Sequence, residues 1–256
     1  MRARIVNAAQ GARWLASGWR LFRVAPFGWL AATLAYWFAI SAVSLVPVLG
    51  AAAAVALVPA FTVGFMALAR AAERGGALDL RLLFDGFRQR PGPQLALGVI
   101  YLAALAAVLA ASAVADDGLL ARWVLGGRRP APEALDGDAM LGAAGVAALA
   151  YLPVMAAFWF APPLVAWHSA GVAKALFFSF FACLMNWRAL AVYGALVVLA
   201  TLVVPLVLLN ALLLAGGGQG RLAAPLLAAF LVGVLPILFA SFYASYRDVF
   251  GYHLAE

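Results

Sequence analysis

The chain has 256 residues, of which 67% are hydrophobic and only 11% are charged. Soluble domains are about 45–50% apolar and about 25% charged, so this composition excludes an ordinary soluble protein and indicates an integral membrane protein. A net charge of +7 also suits nucleic-acid binding, but the basic residues lie between apolar segments, where membrane topology explains them and no nucleic-acid partner is predicted.

The N-terminal segment, Met1–Val24, predicts an amphipathic helix. Arg13 and Arg20 share one helical face, and Trp14 and Leu21 occupy the opposite face. The arginines are spread through the segment and no cleavage site follows a short apolar core, so we do not expect a cleavable signal peptide. Such a helix suits the bilayer surface, with its arginines toward phosphates. Packing on the protein's own inner face fits the same pattern equally well.

Six apolar segments follow, each long enough to cross a hydrocarbon core of about 30 Å. The first two are joined by a short uncharged connection and should form a helical hairpin. The third carries an alanine ridge (Ala103, Ala107 and Ala111) suited to close helix packing, and the fourth is long enough that a tilt or kink is expected. The predicted spans are Phe27–Val48, Gly50–Ala69, Gln94–Ala115, Met140–Ala173, Ala189–Leu214 and Leu222–Ser245.

Two further segments between spans also predict surface helices. In the first, Asp79 is a suitable N-cap, and Arg81 and Arg88 lie opposite an apolar stripe. In the second, aromatic residues cover most of the circumference and leave one narrow stripe, which faces either a neighbouring helix, the favoured reading, or a headgroup. Asn186 directly precedes the fifth span and is placed to cap it. The stripe consists of Ala175, Ser179, Ala182 and Asn186.

The distribution of basic residues predicts the orientation. If the N-terminus is inside, 13 Lys and Arg lie on the inner face and 4 on the outer face. Because basic residues collect on the cytoplasmic side, we predict a multi-pass protein of the bacterial inner membrane with both termini in the cytoplasm. The inner set is Arg2, Arg4, Arg13, Arg20, Arg23, Arg70, Arg74, Arg81, Arg88, Arg90, Lys174, Arg188 and Arg247; the outer set is Arg122, Arg128, Arg129 and Arg221.

A recurring interval late in the even-numbered spans suggests an internal repeat. A proline precedes a basic residue by eleven positions in three places: Pro59 and Arg70, Pro163 and Lys174, Pro236 and Arg247. Eleven helical residues rise about 16 Å, which would place the prolines near the midplane. We therefore predict one membrane domain, 1–256, of three parallel units (about 1–70, 71–174 and 175–256), each an interfacial helix followed by a hairpin. Chance is the alternative, since membrane helices tolerate proline.

The three prolines also offer a route to a ligand site. Each removes one backbone hydrogen bond and frees the carbonyl four residues earlier. Three kinks at one depth can line a central pocket. Alternatively, the kinks spread the inner ends of the spans apart and make room for the interfacial helices, and this second interpretation requires fewer assumptions.

No motif for catalysis or cofactor binding is present. The chain lacks GxxxxGK[ST], GxSxG, HExxH and CxxC, so we predict neither an enzyme nor a cofactor. His168 falls within the predicted fourth span, where a neutral histidine bonded to a backbone group or hydroxyl is favoured over a proton-responsive group. Asp136 and Asp138 have a spacing that suits a divalent cation, but without a third ligand no metal site is predicted. His253 is expected to be solvated.

Three stretches carry a resemblance to known proteins. GWRLFRVAPFGW at Gly18–Trp29, LFDGFRQRPGP at Leu83–Pro93 and FFSFFACLMNWRALAVYG at Phe177–Gly194 resemble an uncharacterised family of proteobacterial inner-membrane proteins. More distantly, they are similar to the six-span domain fused to some glycerophosphodiester phosphodiesterases. The resemblance implies a membrane module and no catalytic role, because no soluble catalytic domain is appended to this chain.

The preferred function is therefore a non-enzymatic inner-membrane protein that engages lipid headgroups, or a membrane partner complex, through three basic-aromatic interfacial helices. The residues expected at headgroups are Arg13, Arg20, Arg23, Arg81, Arg88, Lys174, Asn186, Arg188 and Arg247. The alternative is a transporter or flippase-like carrier for a lipid or apolar solute, with a central pocket that includes Pro59, Pro163, His168 and Pro236. The expected partners are membrane lipids and either a membrane protein or a second copy of the chain.

Overall fold

A computed structural model of the chain describes residues 3–47, 49–127, 138–214 and 220–251. Every regular element within these ranges is helical, in agreement with the predicted all-α class. Six helices, continuous or interrupted, are long and apolar enough to cross a membrane, which confirms the six predicted spans. Two residues discussed above lie outside the described residues: Asp136, which was weighed with Asp138 as a cation pair, and His253, which was expected to be solvated.

The first three spans are single helices and the next two are interrupted. The spans are, in order, α2 (Pro26–Ser44), α3 (Gly50–Glu73), α5 (Pro91–Asp116), α7 (Asp138–Trp159) with α8 (Ala161–Trp167), α10 (Trp187–Val198) with a π-helical turn (Leu199–Val203) and α11 (Val204–Leu214), and α12 (Gly220–Phe250). The connecting elements are α1 (Gln10–Val24), a 3₁₀ helix (Leu80–Phe84) that runs into α4 (Asp85–Arg88), α6 (Leu119–Gly126) and α9 (Val172–Met185).

The fourth span is broken at Phe160, where a tilt or kink was expected. In a continuous helix the Phe160 N–H would bond the carbonyl of Ala156. Instead the hydroxyl of Ser179, on α9, accepts from Phe160 N at 2.8 Å and donates to Ala156 O at 2.8 Å. A side chain inserted into the helical ladder is a recognised cause of a kink. Ser179 therefore supplies a hydrogen-bond partner to both backbone groups, which no longer bond each other at the break.

The even-numbered spans meet at the centre of the bundle. The rings of Phe65 on α3 and Phe239 on α12 stack with centroids 3.8 Å apart. Phe160, between α7 and α8, stacks against Phe242 on α12 with centroids 6.4 Å apart. Aromatic pairs of this kind add stability beyond the area that they bury. The core is thus built mainly by the second, fourth and sixth spans.

The predicted surface helices pack tightly against protein. A Cβ on Gly18 of α1 would lie 2.4 Å from the carbonyl oxygen of Ile237, and one on Gly86 of α4 would lie 2.1 Å from that of Ala60. Only glycine allows backbones to approach so closely. Of the two arrangements that the sequence left open for α1, the apolar face therefore packs on the protein itself, and Arg13 and Arg20 remain exposed.

The alanine ridge of the third span does not mediate the close packing that its composition predicted. Ala103 and Ala107 are exposed. The tight contact of this helix is instead at Gly98, where a Cβ would lie 1.8 Å from the carbonyl oxygen of Ala56 on α3. The prediction was wrong about position because a small residue marks where a backbone can approach, and several faces of this span carry small residues.

Candidate functional site

Seven of the nine residues predicted at headgroups are exposed, and together they are called the basic surface. They belong to the helices that precede the odd-numbered spans, or stand at the start of such a span. All seven side chains are exposed, whereas Trp14 and Leu21 of α1 and Leu83 of the 3₁₀ helix are buried in the bundle. The basic surface consists of Arg13, Arg20, Arg23, Arg81, Arg88, Lys174 and Arg188.

Local contacts orient several of these cations. Arg20 Nη2 donates to the Ser17 hydroxyl at 2.9 Å. The Lys174 ammonium lies 5.9 Å from the ring centroid of Phe178, and the Arg188 guanidinium lies 5.5 Å from that of Trp187. A cation beside an aromatic ring is an arrangement expected where an apolar layer meets charged headgroups, and of the two rings Trp187 is exposed.

One acidic residue accompanies the basic surface on α4. Asp85 is half-buried, and its burial raises the pKa of the carboxyl group, while the Arg88 and Arg70 guanidinium groups oppose that rise. Its Oδ2 accepts a hydrogen bond from the side-chain amide of Gln89.

Asn186 was predicted at a headgroup, which its burial contradicts, and as the cap of the fifth span, where it holds the N-cap position without a side-chain cap bond. The residue is 1% exposed and its side chain makes no bond to the N-terminus of α10. Its Oδ1 accepts from Val6 N at 2.8 Å, and its Nδ2 donates to Arg4 O at 3.0 Å and to Ala182 O at 2.9 Å. A primary amide offers a donor and an acceptor side by side, so it pairs with an extended backbone as a neighbouring strand would.

Arg247 was also predicted at a headgroup, but the structure places it among carboxylates. Its Nη1 contacts Glu73 Oε1, and its Nε and Nη2 donate to Asp248 Oδ1 at 3.1 and 3.0 Å. The Tyr243 hydroxyl donates to Glu73 Oε2 at 2.6 Å. The guanidinium fork is therefore committed within the protein, which the eleven-residue interval from Pro236 gave no means of predicting.

These contacts belong to a polar cluster that joins the ends of the three even-numbered spans. Glu73 and Arg247 connect the second and sixth spans, and the Arg70 guanidinium lies 5.6 Å from the ring centroid of Trp167 at the end of the fourth. Sequence reasoning missed the cluster because its members are far apart in the chain. Its members are Arg70, Glu73, Trp167, His168, Tyr243, Tyr246, Arg247 and Asp248.

His168 completes the link between the fourth and sixth spans. Its Nε2 lies 2.6 Å from the Tyr246 hydroxyl, which is the kind of partner that the favoured interpretation named. The residue follows the last residue of the fourth span, Trp167, rather than lying within that span. Burial lowers the pKa of His168 from its usual value near 6.5, which favours the neutral imidazole.

The three prolines of the predicted central pocket are all buried: Pro59, Pro163 and Pro236. The helices that carry them are in contact through aromatic rings that follow or precede each proline by a turn or two, including the stacked pair Phe65 and Phe239. His168 does not share this level, because it bonds Tyr246 near the end of the sixth span. The structure therefore does not bring the four residues together around one space. Among the described residues, no group of three or more His, Cys, Asp or Glu side chains is placed to hold a metal ion.

Comparison with known proteins identifies a relative along nearly the whole chain. A protein of Burkholderia thailandensis named a probable inner membrane protein is 40% identical over 253 residues, which cover 96% of this chain and 93% of the relative. No protein-family model matches the chain. No solved structure matches it either.

Proposed function

The chain belongs to the same family as the Burkholderia inner membrane protein, and from this premise we propose that it is a non-enzymatic multi-pass protein of the inner membrane whose basic surface binds anionic lipid headgroups of the cytoplasmic leaflet. One observation carries the proposal. α1 and the 3₁₀ helix with α4 bury Trp14, Leu21 and Leu83 in the bundle. They leave five arginine side chains exposed: Arg13, Arg20, Arg23, Arg81 and Arg88. Near an anionic bilayer each such group contributes about 1 kcal/mol of attraction.

The proposal includes the three-unit architecture, which the packing of the lead helices supports. α1 packs on the sixth span, the 3₁₀ helix and α4 on the second, and α9 on the fourth, so each lead helix lies on the even-numbered span of the preceding unit. The lead helix of the first unit packs on the third unit, so the three units close into a ring.

The register of two of these contacts agrees with the repeat. Gly18 approaches the residues one and five positions after Pro236, and the 3₁₀ helix with α4 approaches those one and five positions after Pro59. α9 departs from this register, since Ser179 meets the fourth span before Pro163. In the same scheme both termini are cytoplasmic, and the module is of the kind fused to some glycerophosphodiester phosphodiesterases.

Lipid contact is preferred over the carrier alternative. A carrier needs a space at the level of the prolines, and aromatic rings from the second and sixth spans stack there at 3.8 Å. No enzymatic activity is part of the proposal, because the sequence carries none of the catalytic motifs named above.

Lipid selectivity of the reconstituted protein tests the proposal. Spin-labelled phosphatidylglycerol and phosphatidylcholine report how strongly each lipid associates with the protein in vesicles. The wild type should prefer the anionic lipid at low salt, and replacing Arg13, Arg20, Arg23, Arg81 and Arg88 together by glutamine should abolish the preference. Arg122→Gln is the matched control, because Arg122 is exposed on α6, outside the basic surface. Lipid association that depends on neither lipid charge nor salt would contradict the proposal. If the preference for anionic lipid is lost only when a second protein or a second copy of the chain is removed, the basic surface binds a protein partner.

A further inference from the structure

The structure contains a surface helix that no sequence pattern predicted. α6 (Leu119–Gly126) follows the third span directly, whereas α4 precedes that span. The third span has 26 residues, which correspond to about 39 Å of helix, against about 30 Å of hydrocarbon in a bilayer. A membrane crossed by this span therefore separates the two helices, so α6 lies on the side of the membrane opposite to α4.

A short joint fixes α6 to the end of the third span. Asp116, the last residue of the span, is buried, and its carboxylate accepts hydrogen bonds from Gly118 N at 2.9 Å and from Leu120 N at 2.6 Å. Asp117 and Gly118 both have positive φ, of 51° and 79°, which reverses the direction of the chain. The carboxylate supplies an acceptor to N–H groups that the start of a helix leaves free. The start of α6 is therefore held at the end of the span.

The side chains of α6 are mostly apolar and are not covered by the bundle. The helix is described in full, and none of its eight residues is buried. Trp123, Val124 and Leu125 are all exposed, and Leu125 is 78% exposed. Because successive residues of a helix point about 100° apart, these three cover one broad arc centred on Val124. The charged residue of the helix, Arg122, lies opposite that centre together with Gly126, so α6 is amphipathic.

The apolar arc of α6 is continuous with the lipid-facing surface of the neighbouring spans. Val114, near the end of the third span, is 90% exposed, and Leu141, near the start of the fourth, is also exposed. α6 contacts both of these spans. A helix at the ends of two spans lies at the depth where hydrocarbon meets headgroups, and tryptophan is enriched at that depth. Lipid therefore covers exposed apolar side chains at this level.

A protein partner suits this surface less well than lipid does. A helix of eight residues is about 12 Å long and about 12 Å wide with its side chains, so one face offers on the order of 100 Å². A stable protein interface takes about 800 Å² from each partner. The arc centred on Val124 carries no charge that would select a protein partner.

We propose that α6 is an anchor in the leaflet opposite to α4, with Trp123, Val124 and Leu125 among the acyl chains of the lipids and Arg122 on the aqueous side. The partner is the bilayer itself. Burial of apolar surface holds the anchor, so its insertion depends on neither lipid charge nor salt. The proposal goes beyond the proposed function, which concerns headgroups of the other leaflet. Together with the joint at Asp116, the anchor fixes the depth of the third span in the membrane.

The accessibility of spin labels in vesicles tests the anchor. The full-length protein, in a Cys183→Ala background, carries one label at Val124→Cys, Leu125→Cys or Gly126→Cys and is reconstituted in phosphatidylcholine. Collisions with oxygen, which concentrates in hydrocarbon, are compared with collisions with a water-soluble nickel chelate. The ratio of oxygen to nickel collisions should be several-fold higher at Val124 than at Gly126, intermediate at Leu125, and unchanged by salt. Gly126 is the matched control, because a Cβ there meets nothing within 4 Å.

Two results would overturn the proposal. Equal ratios at Val124 and Gly126 would show that α6 has no membrane-facing side. Few collisions with both reagents at Val124 would show that another part of the chain, or a second copy, covers the helix. A label at Leu149→Cys, an exposed position of the fourth span, provides the hydrocarbon reference. The lipid selectivity of the basic-surface variant is measured independently, so either proposal can fail while the other stands.

Discussion

The second and fifth spans are equally apolar and yet occupy opposite environments. Their mean hydropathies are 2.1 and 2.6, but 61% of the second span's apolar window is buried in the protein against 6% of the fifth span's. The second span meets the third span at Ala56, α4 at Ala60, the 3₁₀ helix at Gly64 and the sixth span at Phe65. The fifth span exposes Leu199, Leu202 and other large side chains. Hydropathy therefore identifies a span but does not show whether the span is buried in the protein or faces lipid.

The largest expected difference between the two spans comes from the same truncation made in each. Leu68 of the second span is fully buried and Leu202 of the fifth is 60% exposed. Leu68→Ala should lower the free energy of unfolding by about 2–5 kcal/mol, because it leaves a cavity in packed protein. Leu202→Ala should cost little, because lipid fills the space that the side chain leaves. Unfolding in a denaturing detergent, monitored by circular dichroism, measures both, and equal losses would contradict the proposed centre.

Adding a methyl group should change the stability of the protein in opposite directions in the two spans. A Cβ on Gly64 would lie 1.9 Å from the carbonyl oxygen of Leu83, whereas Gly194 in the fifth span has nothing within 4 Å. Gly64→Ala should destabilise the protein by about 3 kcal/mol, because two backbones must move apart. Gly194→Ala should stabilise it by up to about 1 kcal/mol through helix propensity. Melting temperatures of the two variants give the comparison, and a stable Gly64→Ala protein would show that the 3₁₀ helix is not docked there.

Removing a hydroxyl gives a smaller effect of the same kind. Ser179→Ala leaves Phe160 N and Ala156 O without their bridging partner in the break of the fourth span, so we expect a loss of about 2 kcal/mol. Thr201 in the fifth span bonds the carbonyl of Val197 in its own helix. Thr201→Ala should therefore change stability by less than about 0.5 kcal/mol. The same unfolding assay applies, and a neutral Ser179→Ala would indicate that another group or water replaces the serine.

The smallest expected effect is a pH dependence of the polar cluster. The pKa of His168 is lowered in the folded protein, so the unfolded chain binds a proton more readily and stability is lost as the pH falls through about 6.5. His168 faces the Tyr246 hydroxyl and Trp167, with Arg70 beside that tryptophan. The melting temperature of the wild type should fall between about pH 7.5 and about pH 5.5. His168→Gln, which can still bond Tyr246, should remove most of that slope, and an identical slope in both proteins would assign it to other groups.

The sequence predicted the spans well because each needs only length and hydropathy. All six predicted segments begin within three residues of the observed helices, and Gly50 starts the second span in both. The exposed arginines of α1 and α4 were also predictable, since amphipathic periodicity places charged and apolar residues on opposite faces.

The remaining features depend on contacts between distant parts of the chain. Asn and Arg are residue types that are common on protein surfaces. Asn186 instead bonds Val6, and Arg247 bonds Glu73 and Asp248, and no local sequence pattern indicates these pairs. The central position of the second span was visible only indirectly, in its small residues. Small residues permit close approach without requiring it, as the exposed Ala103 and Ala107 show.

The bonds between Trp14 and Asp248 and between Val6 and Asn186 join positions 234 and 180 residues apart. During synthesis the first helix leaves the ribosome long before either partner has been made. It must therefore wait beside the translocon, or on the membrane surface, until the sixth span has been inserted. A nascent chain stalled before residue 220 should leave Trp14 accessible to quenchers, and release of the complete chain should protect it. In this scheme the contact between α1 and the sixth span is among the last to form during assembly.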